Sequence, residues 1–153
     1  MSGLVFRDAT RADLAAVIEL LADDFLGEAR GEQFREPLPQ GYVTSFDAIC
    51  ADPRGRLIVA DDAGVIVGCY QLTLIPGLSY QGAWKAIIEG VRVTNKRRST
   101  GIGAKMLAHA AQLARDGGAR ALELTTNKAR KDAQRFYAKL GFKNSHEGYK
   151  LEL

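Results

Sequence analysis

The chain has 153 residues, 46% hydrophobic and 25% charged, with a formal net charge of +3. That length fits one domain, residues 1–153, with room for a sizeable core, and no apolar run approaches the roughly 20 residues that a membrane helix needs. Cys50 and Cys69 have neither Cys-x-x-Cys spacing nor a His cluster beside them, so no zinc site or disulfide framework is indicated.

The opening residues lack the apolar core of a signal peptide, which makes the cytoplasm the default expectation. Leu4 to Arg7 reads as a short strand. Thr10 then caps a helix with Asp13 in its first turn, running to about Leu26 with Leu14, Val17, Ile18, Leu21 and Phe25 on its apolar face. Gly27 to Gly41 is a polar, proline-containing connection without periodicity. A second short helix follows over about Val43 to Ala51, with Val43, Phe46, Ile49 and Cys50 turned inward. Leu57–Ala60 and Val65–Leu74 are strands joined through Asp61-Asp62-Ala63-Gly64, and Gly68 permits a close backbone approach. After a break at Ile75–Tyr80, Ala86–Thr94 completes an antiparallel meander.

A helix from Gly101 to about Asp116 stops at Gly117-Gly118. The strand Ala121–Thr125 comes after it, parallel to its predecessor because a helix crosses between them. A helix over Ala129–Leu140 stops at Gly141, and Phe142 onward, with Tyr149-Lys-Leu-Glu-Leu, supplies a closing strand. The predicted order is β-α-α-β-β-β-α-β-α-β, an α/β (α+β) fold with a mixed central sheet and helices on both faces.

The most informative stretch joins the central strand to the long helix. A strand that turns through glycines into a helix N-terminus aims several unpaired backbone N–H groups one way, and the helix dipole adds positive potential there. A phosphate or pyrophosphate is the natural ligand. Gly101-Ile-Gly103 has no third glycine for a dinucleotide fingerprint, and the P-loop spacing is absent. Lys96-Arg97-Arg98 with Lys105 is a short basic cluster with no interleaved aromatics. Nucleic acid therefore ranks well below a compact phosphate ligand.

The segment Arg98-Ser-Thr-Gly101-Ile-Gly103 resembles the Gln/Arg-x-x-Gly-x-Gly/Ala motif of the Gcn5-related N-acetyltransferase (GNAT) superfamily, and Val93 lies where that family's fourth strand ends. Asn127 through Phe142 resembles the superfamily's Asn…Ala-x-x-Phe-Tyr-x-x-x-Gly-Phe signature, and the element order matches the superfamily's over most of the chain. The resemblance implies an enzyme that moves an acetyl group from acetyl-coenzyme A (acetyl-CoA) to a primary amine by direct transfer in a ternary complex, without a metal.

It further implies that backbone N–H groups of Arg98, Ser99, Thr100, Gly101, Ile102, Gly103 and Ala104 hold the pyrophosphate. Val91, Arg92 and Val93 offer strand backbone to the pantetheine arm and supply the oxyanion donor, and Asn127 and Arg130 line the coenzyme's far side. The first two helices flank the acceptor cleft, which puts specificity between Phe25 and Phe46.

Acyl transfer to an amine needs a base for the ammonium and a proton for the leaving thiolate. Strand alternation places Glu89 beside Ile87, Val91 and Val93, a row that would desolvate a carboxylate enough to serve as base. Its bland alternative is an ion pair with Lys85 or Arg92. Tyr137 falls on a helical face with Ala129, Ala133, Phe136 and Leu140; the resemblance makes its phenol the acid for the thiolate, where packing alone would be the ordinary reading. His109 and His146 have no spaced partner and read as structural, Met106 reads as core, and Tyr70, Tyr80 and Trp84 fit either the acceptor cleft or the core.

The acceptor is expected to be a small metabolite amine. The stretch from Leu124 through His146 looks like enzymes that acetylate small aminoalkylphosphonates, a likeness in the coenzyme half that says little about the acceptor. Rival readings are a protein or peptide acetyltransferase and a catalytically idle CoA-binding regulator. By analogy with the superfamily, a homodimer is a further expectation, with Tyr149–Leu153 taking part.

Overall fold

The computed structural model describes residues 3–24, 26–32 and 34–153. They form two compact units, Met1–Glu123 and Leu124–Leu153. The first holds a five-stranded sheet ordered β1-β2-β3-β4-β5. Its strands are β1 (Leu4–Asp8), β2 (Gly55–Asp62), β3 (Val65–Ile75), β4 (Trp84–Val93) and β5 (Ala119–Glu123). The first three pairings are antiparallel, and β4 with β5 is parallel. The parallel step follows from the crossover helix α4 (Ile102–Asp116) between those two strands. The remaining helices of this unit are α1 (Leu14–Ala22), α2 (Gln40–Ala51) and the single distorted turn α3 (Ser79–Gly82).

Strand alternation divides the apolar residues between two layers. Val59 and Cys69 share one face of the sheet and pack with Val17 and Leu20 of α1. A second cluster joins Leu14 and Ile18 to Phe46 of α2. On the opposite face lie Ile58, Tyr70, Leu72 and Ile88, all buried, with Met106 of α4 fully buried as well. Gly68 is what lets α4 come this close: a Cβ there would stand 2.8 Å from Met106 Sδ and 2.9 Å from the Arg92 carbonyl. The close approach expected at this glycine is therefore present, and helices cover both faces of the sheet.

Several elements depart from the sequence expectations. First, α1 ends at Ala22, short of Leu26. Asp23 leaves helical geometry at ψ 51°, and the Asp24 side chain, 6% exposed, binds arginines outside the helix. Phe25, expected on the helix face, lies outside the described residues. Second, Cys50 is exposed rather than inward; α2 lies on the surface and spends its one fully buried position on Phe46.

Third, the last helix, α5, spans Lys131–Lys139. Asn127 Oδ1 accepts a bond from the Ala129 N–H (2.8 Å) and bends the chain before the helix, so Ala129 is exposed ahead of it. Leu140, at the helix end, is also exposed. Fourth, Phe142–Leu153 forms no strand. A strand exists only where a neighbour's backbone pairs with it, and the Leu124–Leu153 unit contains, among its described residues, one helix and no strand.

Candidate active site

β4 does not alternate regularly. Gln71 pairs with Glu89 and Cys69 with Arg92, so Gly90 and Val91 together stand opposite Tyr70 alone. This is a β-bulge, with Gly90 supplying the left-handed φ of 60°. The extra residue reverses the parity of the strand. Arg92, rather than Val91 and Val93, follows Glu89 and Ile87 on the α1 face, while Val93 pairs with Gly68 on the α4 face. The expected apolar row around Glu89 is thereby broken, and Glu89 is exposed.

The structural alternative for Glu89 loses its partners as well. Lys85 pairs with Glu123 at 2.9 Å, and Arg92 reaches Asp24 at 3.4 Å. Among the described residues Glu89 makes no hydrogen bond or ion pair of its own. It is an uncommitted carboxylate immediately before a bulge.

Beyond β4 the chain makes one tight turn, Asn95–Arg97, and then enters α4. Ser99 and Gly101 both adopt positive φ, 63° and 86°. Thr100 Oγ1 donates to the Arg97 carbonyl at 2.6 Å, which pins the turn. A Cβ on Gly101 would meet nothing within 4 Å, so it is backbone conformation that calls for glycine here. Gly101 is the N-cap, and no side chain caps the helix. The first main-chain donors of α4, at Ile102, Gly103 and Ala104, therefore have no intrahelical acceptor. Ile102 itself is 7% exposed and anchors the helix entry to the core.

Arg97 is held by Asp62. Arg98 donates from Nε to the Val93 carbonyl (3.4 Å) and from Nη2 to the Asp23 carbonyl (3.3 Å). Arg92 Nη1 donates to the Val91 carbonyl at 2.9 Å. Two guanidinium groups thus surround the end of β4, beside the exposed Lys96 and Lys105, and bias the loop toward an anion.

The polar connection after α1 carries a network that the sequence did not reveal. Asp24 accepts from Arg30 (3.0 Å) and Arg92 (3.4 Å), and Arg30 also grips Glu32 (2.7 Å). The network ties that connection to Arg92, which follows the bulge. An Asp-Asp pair ending an apolar helix is the only signal of it in the sequence, and nothing in that signal points to Arg92. A cleft of about 480 Å³ opens between Glu19 and Asp23 of the α1 end, Phe34, and Thr94–Lys96.

Other residues have structural occupations. Tyr70 is fully buried, with its hydroxyl 2.7 Å from His109 Nδ1, and His109 stacks on Phe6. Burial lowers the His109 pKa and pushes that of Tyr70 well above its usual range. Tyr80 is exposed beneath the Arg120 guanidinium, 3.6 Å from its ring centroid. Burial likewise pushes the Cys69 thiol up to about 12. Among the described residues no group of His, Cys, Asp and Glu has metal-site geometry.

In the Leu124–Leu153 unit, Asn127 turns the chain ahead of α5, and Arg130 is the N-cap residue of that helix. Tyr137 is half-buried, its ring 5.3 Å from Phe136 and 5.8 Å from Phe142.

The sequence and the fold are both shared with known proteins. The model of the acetyltransferase (GNAT) family matches residues 15–142. Aminoalkylphosphonate N-acetyltransferase of Salmonella typhimurium (strain LT2) is 33% identical over 140 residues, 92% of this chain and 85% of that protein. A Bacillus halodurans C-125 crystal structure described as a transcriptional regulator superposes with TM-score 0.95 at 45% identity, covering 98% of this chain and 99% of the other. An aminoglycoside N-acetyltransferase in complex with CoA shares the fold alone, at TM-score 0.81 and 15% identity, over 100% of this chain and 96% of that one. The chain belongs to the GNAT acetyltransferase family and is an acetyl-CoA-dependent N-acyltransferase.

Proposed function

We propose that the enzyme acetylates a primary amine of a small molecule by direct transfer within a ternary complex. The observation that carries this reading is the uncommitted Glu89 carboxylate at the bulge of the strand that feeds the uncapped α4 N-terminus. In this reading the main-chain donors of Arg98 through Ala104 hold the pyrophosphate of acetyl-CoA, and Val91–Val93 backbone meets the pantetheine arm and the carbonyl oxygen. Asn127 and Arg130 are further coenzyme contacts in this reading, by likeness to the family.

Glu89 takes the proton of the substrate ammonium, directly or through water. The amine nitrogen then attacks the thioester carbonyl carbon. As the C–S bond breaks, Tyr137 donates its phenolic proton to the departing thiolate and recovers one from solvent. Glu89, exposed in the free protein, becomes desolvated only when both substrates cover it, which favours the ternary order. Similarity to the aminoalkylphosphonate enzyme supports a small acceptor and makes aminoalkylphosphonates the first amines to try.

The test is release of free thiol from acetyl-CoA across an amine panel that also includes peptides. Turnover with small amines, and none with peptides, is expected. Peptide turnover alone would replace the acceptor class, and coenzyme binding without any turnover would favour a regulator. Replacing Tyr137 with phenylalanine should keep acetyl-CoA affinity while lowering kcat roughly 10²–10⁴-fold. Full activity in that variant removes the phenol from the mechanism.

A further inference from the structure

Directly across the ladder from Glu89 stands Gln71 of β3. Residues opposed in this way project from one face of a sheet, with Cβ atoms about 4.5–5.5 Å apart. Leu57 of β2 continues the row on the other side of Gln71. The face is the one beneath α1, since Cys69, two residues back along β3, packs with Val17 and Leu20. Across three strands this row therefore reads apolar, amide, carboxylate.

Gln71 is half-buried, and among the described residues its side-chain amide makes no hydrogen bond. Its neighbours have none to offer. Leu57 packs into the cluster of Leu14, Ile18 and Phe46. Leu21 lies over the bulge, 3.8 Å from where a Cβ on Gly90 would stand, and Cys69 Sγ donates to the Gly90 carbonyl at 3.8 Å. The charged side chains on either side of Glu89 along this face are paired elsewhere, Lys85 with Glu123 and Arg92 with Asp24. An amide so placed adds nothing to folding that a hydrocarbon of the same shape would not. Its natural partner is a ligand that Glu89 binds too.

We propose that Gln71 and Glu89 together hold the acceptor nitrogen, and that Gln71 makes the enzyme selective for primary over secondary amines; this rests on the transfer reading above. A primary ammonium carries three N–H protons. One passes to Glu89 before the nitrogen attacks the thioester carbon. A second leaves to solvent as the C–N bond forms and the C–S bond breaks, with the coenzyme departing as its thiol. The third stays on nitrogen in the product amide. Gln71 is free to turn Oε1 toward that third N–H and accept from it throughout the reaction. A secondary ammonium has two protons and loses both. Its second alkyl group would face the Gln71 oxygen and leave that acceptor unmet.

The experiment compares the small primary amine turned over fastest in the thiol-release panel with its N-methyl derivative. Gln71→Leu should lower kcat/KM for the primary amine about 10–100-fold, mostly through KM, and leave the N-methyl derivative within about 2-fold. Gln71→Glu keeps an accepting oxygen but sets a second carboxylate beside Glu89. It should retain the preference for the primary amine while the acid limb of its kcat/KM profile moves up by at least about one pH unit. Both variants should bind acetyl-CoA and melt as wild type does. Primary-amine turnover unchanged in Gln71→Leu, an equal loss for both amines, or an unshifted profile in Gln71→Glu would each overturn the assignment while leaving acetyl transfer intact. A wild type that turns over no primary amine fails the transfer reading itself, and this assignment with it.

Discussion

Glu89 is exposed and makes no bond of its own among the described residues, while both of its neighbouring cations are committed elsewhere. A carboxylate in that position contributes little to folding and is available for proton transfer. Glu89→Gln should therefore leave the melting temperature within error of wild type while kcat falls by roughly 10²–10⁴ at neutral pH, as measured by thiol release with saturating acetyl-CoA. A lowered melting temperature with unchanged turnover would make the residue structural after all. The sequence supplied the identity of this residue but not its surroundings. Simple alternation put valines beside it, and the bulge at Gly90 replaced them with Arg92. A glycine in mid-strand is a recognised sign of a bulge; which way the parity breaks is fixed only by the partner strand.

Among the elements, the β4–α4 connection and the β2–β3 turn both rest on left-handed residues, with opposite consequences. Gly101 sits at φ 86°, where a side chain costs about 1–2 kcal/mol. Gly101→Ala should misalign the α4 donors and raise the KM for acetyl-CoA by about 5–30-fold, the factor that such an energy represents, with a smaller effect on kcat. Titration calorimetry with CoA gives the same comparison without turnover. In the β2–β3 turn, Asp62 pairs with Val65, so Ala63-Gly64 is a two-residue hairpin loop with φ of 54° and 91°. Here alanine is the strained residue. Exchanging it for glycine removes the penalty of about 1–2 kcal/mol and adds about 0.5–1 kcal/mol of unfolded-state entropy. The difference favours Ala63→Gly, and calorimetry should show melting raised by about 1–2 °C.

Across the first unit, stability draws on a charge cluster centred on Arg7. Arg7 grips Asp13 (2.7 Å) and Asp61 (2.9 Å), and the Asp13 carboxylate also accepts from the Thr10 N–H at 2.7 Å. The Arg7 guanidinium, opposed in part by burial and aided by Thr10, holds the Asp13 carboxyl down at about 2. An unfolded aspartate titrates near about 3.9, so the unfolded chain binds the proton first as pH falls. The stabilisation is complete above about pH 4 and is lost as pH drops through about 2, and its size is on the order of 2 kcal/mol. Asp13→Asn should accordingly melt earlier than wild type at pH 7, and the gap between the two should close toward pH 2. His109 adds a shallower dependence of the same sign. Its folded pKa is lowered by burial, so the stability it contributes is present above about pH 6.5 and declines as pH falls below that value.

Local chemistry settled much of this protein in advance. Apolar periodicity, the Thr10–Asp13 cap, the glycine stops and the crossover rule place every strand of the five-stranded sheet and all the longer helices, because each depends on residues within a few positions of one another. The glycine-rich entry to α4 is legible for the same reason. Tertiary structure decided whatever depends on a distant partner: the bulge that turns Arg92 toward the α1 face, the Asp24 carboxylate shared between Arg30 and Arg92, and the Tyr70–His109 contact. The C-terminal segment shows the difference most plainly. Its alternation specifies a strand, but a strand needs a second backbone to bond to, and no pattern within five residues can supply one.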